Sequence, residues 1–211
     1  MKKYKDAKAF REALTIRLRK IAEQEGSEPK SLRLQVSFDR LLSRLFSNKS
    51  TPWLLKGGYA MLLRIRNARV TKDVDLALRD DKFLKGSNLS RNLELYNFLS
   101  EHASKDLEDF FVFKVEPSVL DDIESTPYGG TRFPVEAFID GKSFERFHVD
   151  IGIGDVWIEP YEKLISRPWL DFAGFEAQTF PVVPKEQQFA EKIHAYTPVS
   201  YTHLRAHETG R

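Results

Sequence analysis

Two aspartates stand one residue apart in Thr71-Lys72-Asp73-Val74-Asp75-Leu76. The alternation of Val74 and Leu76 with charged residues predicts a strand over Val70–Leu78, and alternate side chains of a strand leave the same face. The two carboxylates are then about 6.6–7 Å apart along the backbone. Such a pair can converge on divalent cations, which in two-metal sites lie ~3.5–4 Å apart. Oxygen-only donors favour magnesium or manganese over zinc. An isolated Asp-x-Asp is most often just the solvated face of a strand, so its surroundings decide how it is read.

Those surroundings hold further chemistry. Gly57-Gly58 reads as a tight turn opening a short helix, and a helix N-terminus presents free N–H groups to an anion. Glycine also lets a phosphate approach the backbone closely, and Lys56 supplies a cation beside it. Asp150, between Val149 and Ile151, points away from its apolar neighbours. If its strand lies beside that of Asp73 and Asp75, it becomes a third carboxylate able to take a proton from an attacking hydroxyl. Asp155, after Gly154, reads as a turn residue.

The elements that must position these residues follow from periodicity. Asp6 caps a helix running to about Gln24, with Phe10, Leu14, Leu18 and Ile21 on one face and Gly26 as the stop. A second helix covers about Ser31–Phe46. Trp53-Leu54-Leu55 reads as a buried strand, and Tyr59–Ile65 as a short helix with Arg64, Arg66 and Arg69 around its end. Leu89–Ser104 is read as helix and Phe110–Val115 as strand. Arg132–Ile139 and Glu145–Ile151 form a hairpin through Asp140-Gly141. One more strand is expected at Phe175–Thr179. Pro184 suits the first turn of a final helix carrying Phe189, Ile193 and Tyr196. This divides the chain into a helical region over 1–50, a core over 51–196 and a tail over 197–211.

Composition narrows the class. The 211 residues are 41% hydrophobic and 30% charged, with sixteen Phe and no Cys, which suits a globular domain and excludes disulfides and thiolate metal sites. No apolar run is long enough for a membrane span, and no secretory signal follows the basic N-terminus, so the expected location is the cytoplasm. Residues 1–50 carry thirteen Lys/Arg against six Asp/Glu, leaving the rest of the +2 chain acidic. A basic arm beside an acidic body suits a polyanion such as RNA, although solvated helix faces account for it equally well.

The block Leu55-Lys56-Gly57-Gly58-Tyr59-Ala60-Met61, then Arg66, Arg69 and Thr71-Lys72-Asp73-Val74-Asp75, resembles the AbiEii/AbiGii nucleotidyltransferase toxins. Val149-Asp150-Ile151-Gly152 and Ala190-Glu191-Lys192-Ile193-His194 continue the resemblance in order. It implies an α+β fold: a polymerase-β-like nucleotidyltransferase core, a mixed sheet with flanking helices, plus N-terminal helices. It implies Asp73 and Asp75 as ligands of Mg2+ or Mn2+, with an NTP as substrate. Lys56, Gly57, Gly58, Arg66, Arg69 and Thr71 would surround the triphosphate, and Lys192 would reach its phosphates. RNA, tRNA among it, is the expected acceptor, and an antitoxin protein the expected partner. The alternatives are transfer to a small molecule or protein, or an inactive RNA- or antitoxin-binding homologue.

The family continues beyond the Ala-Glu-Lys segment into a helix with another functional aspartate, whereas residues 197–211 contain none. Val199–Thr209 resembles translated sequencing-adapter read-through, so a non-native, disordered tail is expected from about Pro198. His203 and His207 have the spacing of helical metal ligands but lack a third.

Overall fold

The computed structural model describes residues 4–48, 51–65, 71–78, 88–118, 130–153 and 158–196. Helix α1 spans Ala7–Glu25. Asp6 caps it by accepting from the Ala9 N–H at 2.9 Å, and Gly26 ends it in the left-handed region. Its buried stripe is Phe10, Leu14, Leu18 and Ala22, a spacing of four that keeps one face inward. Helix α2 (Pro29–Leu45) opens on proline, whose fixed φ suits a first turn. It is buried almost throughout.

Strand β1 (Trp53–Lys56) runs directly into helix α3 (Gly57–Arg64), which leads to β2 (Asp73–Leu78). Helix α4 (Asn88–Ala103) and β3 (Phe111–Val115) follow, then the hairpin of β4 (Gly130–Ile139) and β5 (Lys142–Ile153). Strands β6 (Glu162–Ile165) and β7 (Thr179–Val182) precede helix α5 (Lys185–Tyr196). The seven strands form one mixed sheet in the order β3-β4-β5-β2-β1-β7-β6. The pairs β2–β5 and β1–β7 are parallel and the others antiparallel.

One face of this sheet carries the main core. Phe38 of α2 packs edge-on against Phe147 of β5 and Tyr59 of α3, and Phe98 of α4 lies against Trp53 of β1. Val74 and Leu76 of β2, with Val149 and Ile151 of β5, point into it. Helices α1 and α2 bury into this same continuous core. Among the described residues the opposite face holds a small apolar cluster of Leu54, Ala77 and Val183, and there the alternate residues Lys56, Asp73, Asp75 and Asp150 stand partly accessible.

A buried ionic cluster fastens α2 to the start of β3. Asp109 accepts from Arg40 Nε at 2.7 Å and from Arg44 Nη2 at 2.6 Å, and Arg44 also donates to the Phe111 carbonyl. Burial works to raise the Asp109 carboxyl, but the hydrogen bonds and charges of Arg44 and Arg40 bring it below its ordinary range. Asp39, beside Arg40, is pushed up to about 7 by burial, which outweighs the charge of Arg40.

Three expectations are corrected. The strand placed at Phe175–Thr179 begins only at Thr179, because Gly174 in the left-handed region ends a 3-10 turn and the chain after it stays irregular. Strand β6 was not foreseen: Glu-Lys-Leu-Ile lacks an alternating pattern, as an edge strand can. Gly57-Gly58 is the first turn of α3 itself rather than a turn before it.

Candidate active site

Strand β2 lies between β1 and β5, and its register brings the charged residues together. Asp75 is opposite Lys56 on β1 and opposite Asp150 on β5; Asp73 is opposite His148 on β5. The parallel pairing of β2 with β5 thus aligns Asp73-x-Asp75 with His148-x-Asp150 on one face. Asp150, expected to join the pair only if its strand were adjacent, has that adjacency.

The two glycines bring a helix end against the carboxylates. Gly57 has φ +64°, and a Cβ there would lie 1.9 Å from Asp75 Oδ2. At Gly58 a Cβ would lie 2.7 Å from the Thr71 Cβ. The Gly58 N–H donates to Asp75 Oδ2 at 3.3 Å, so the N-terminus of α3 faces that carboxylate. Thr71 Oγ1 donates to the Asp73 carbonyl at 3.2 Å, bracing the start of β2. Burial raises the Asp75 carboxyl to about 6, helped by the charges of Asp150 and Asp73, against the Gly58 N–H and Lys56.

Arg132 and His148 at this site were not singled out in the sequence. Arg132, opposite Asp150 on β4, donates from Nε to Asp150 Oδ1 at 2.7 Å and from Nη2 to Oδ2 at 2.6 Å. Its Nη2 lies 3.8 Å from Asp73 Oδ2, and His148 Nδ1 lies 3.4 Å from Asp73 Oδ1. Among the described residues no three His, Asp or Glu side chains are arranged as a metal-binding set; Arg132 takes both oxygens of Asp150. The donors nonetheless suit a hard divalent cation. Asp73, Asp75 and Asp150 are carboxylates on adjacent strands; burial first, and then the charges of Asp150 and Asp73, raise Asp75, and a divalent cation would offset that gathered negative charge.

Helix α5 reaches the site through another residue that sequence reasoning missed. Gln188 Nε2 donates to the Gly57 carbonyl, and Gln188 Oε1 accepts from Arg64 Nη1 at 2.6 Å. Arg64 Nη2 also donates to the Val183 carbonyl and to Glu162. Lys192 is one helical turn beyond Gln188 and exposed, on the side of α5 that meets the first turn of α3. Arg66, Arg69, Asp155 and the tail over 197–211 lie outside the described residues. Among the described residues no helix is long and apolar enough to cross a membrane.

Comparison with known proteins bears on the fold and the family. No curated protein sequence matches the chain. Among solved structures, MenT4, a nucleotidyltransferase toxin from Mycobacterium tuberculosis H37Rv, superposes with a TM-score of 0.54 at 23% identity. The alignment covers 80% of this chain and 53% of MenT4, so the chain spans about half the length of that relative, and the likeness shows the fold. The family described as "Nucleotidyl transferase AbiEii toxin, Type IV TA system" matches residues 40–210, a stretch that includes β1, the glycine turn, all three aspartates and α5. With most of its length matched, the chain belongs to the AbiEii nucleotidyl transferase toxin family.

Proposed function

We propose that the chain transfers a nucleoside monophosphate from an NTP to an acceptor hydroxyl, with RNA, tRNA among it, as the acceptor class. The observation that carries this reading is the alignment of Asp73 and Asp75 with Asp150 beside a helix that opens on two glycines. Asp73 and Asp75 would hold Mg2+ or Mn2+, which when bound supplies positive charge to offset that gathering on the departing phosphates. The Gly57–Gly58 turn, with Lys56 alongside, receives the triphosphate; Thr71, Arg66 and Arg69 belong to the same binding set, and Lys192 extends it from α5. Asp150, once Arg132 has moved off one of its oxygens, accepts the proton of the acceptor hydroxyl. The freed oxygen forms a bond to the α-phosphorus as the bond from that phosphorus to the bridging oxygen breaks, and pyrophosphate leaves with the electron pair.

The family description supports a toxin role beside an antitoxin protein, and the cytoplasm is the location that goes with this reading. The deciding experiment incubates the purified chain with each α-32P-labelled NTP and Mg2+ or Mn2+, then separates RNA, protein and small molecules. Label in RNA is expected. Label confined to protein or small molecules would move the acceptor to that class, and no label in any fraction would defeat the enzymatic reading.

A further inference from the structure

The shortest charged contacts at the carboxylates belong to Arg132, which the transfer chemistry does not require. Its guanidinium takes both Asp150 oxygens, at 2.7 and 2.6 Å, and stands 3.8 Å from Asp73. A bidentate pair of this kind fills the directions in which a carboxylate would offer its oxygens to a cation. The register Arg132↔Asp150 keeps the guanidinium on the carboxylate face. A divalent cation drawn to Asp73 and Asp75 therefore meets a fixed positive charge, and it gains Asp150 as a ligand only by displacing it. The Arg132 side chain is 39% exposed, so it has somewhere to go.

We propose that Arg132 is a built-in counter-cation that competes with divalent cations for Asp150 and thereby sets how tightly the site takes them up. This rests on the reading of Asp73 and Asp75 as metal carboxylates. The competing explanation is that Arg132 only clips β4 to β5. The same hairpin supplies a control for that: Arg146 pairs with Glu136 across the two strands at 2.9 Å, away from the site.

The test measures Mn2+ binding by electron paramagnetic resonance in the purified full chain and in the variants Arg132→Met, Arg132→Lys, Arg146→Met and Asp73→Asn. Arg132→Met should bind Mn2+ about tenfold more tightly, since a nearby like charge is removed. Arg132→Lys, which keeps the charge without the fork, should fall between, and Arg146→Met should match the wild type. In EDTA, Arg132→Met should also melt below the wild type, with the gap closing at saturating Mn2+. Unchanged or weaker Mn2+ binding in Arg132→Met, or equal tightening in Arg146→Met, overturns the proposal. If Arg132→Met does not fold, Arg132→Lys decides alone, and an unaltered dissociation constant rejects it. Asp73→Asn that binds Mn2+ like the wild type overturns the metal reading and this inference with it. Loss of Mn2+ in Asp73→Asn beside unchanged Arg132 variants rejects the counter-cation alone.

Discussion

Asp73 and Asp75 differ in their surroundings although they share a face. Asp75 is wedged against the α3 N-terminus, with Lys56 opposite on β1; Asp73 lies nearer the edge, beside His148 and Arg132. Removing one charge from either leaves the backbone and the shape of the side chain in place. Asp73→Asn and Asp75→Asn should each lower nucleotide transfer by about two to three orders of magnitude, the usual cost of losing one electrostatic partner of a transition state. The circular dichroism spectrum should stay as it is. Substantial transfer by either folded variant would remove these residues from the chemistry. Asp39 sets a second, unrelated expectation. Its carboxyl, raised to about 7 by burial, is protonated in the folded chain over a range where the unfolded chain is ionised. Its contribution is therefore fully present below about pH 4, the unfolded value, and is lost as pH rises through about 7. Melting temperatures followed from pH 5 to 8 should fall less steeply in Asp39→Asn than in the wild type; parallel curves would refute the assignment.

At the scale of elements, α5 is fastened to α3 by Gln188, which bonds the carbonyl of the glycine that opens α3. Gln188→Ala should loosen that turn and raise the KM for NTP several-fold with little change in melting temperature. Lys192→Ala should do the same through lost charge; as an ordinary surface lysine it would alter stability by less than about 0.5 kcal/mol and leave kinetics untouched. Identical kinetics in both variants would detach α5 from nucleotide binding. The sequence made β1, α3, β2 and the Asp140-Gly141 hairpin legible because each has a local signature: an apolar run, a glycine pair, an alternation, a turn dipeptide. It did not reveal Arg132, for a physical reason. The register of the hairpin shifts at a bulge between Ala137 and Phe138. A regular hairpin closed as Ile139↔Lys142 would set Arg132 against Val149, on the core face. The bulge turns it to Asp150, and a bulge leaves little trace in a single sequence. Gln188 escaped notice for another reason: its partner is a backbone carbonyl far away in the chain.

At the scale of the molecule, the N-terminal helices and the sheet share one core and one buried ionic cluster. Removing one partner of such a cluster strands the others without water or counter-charge. Asp109→Ala should cost about 3–5 kcal/mol, and denaturant unfolding should remain one transition, with α1 and α2 lost together with the sheet. Two separate transitions would show the helical region standing apart. The parallel pairing of β2 with β5 carries one more consequence, for the order of events during synthesis. Parallel neighbours cannot be joined by a short turn; here α4, β3 and β4 all intervene between them. Closing so long a loop is costly before its contacts form, and pairings of this kind are made slowly. A ribosome that has released β2 has produced Asp73 and Asp75 but not the strand that completes their setting. The β4–β5 hairpin, whose contacts are local, must form and dock first. Until that docking, Asp73 and Asp75 stand on the growing chain without Asp150 beside them.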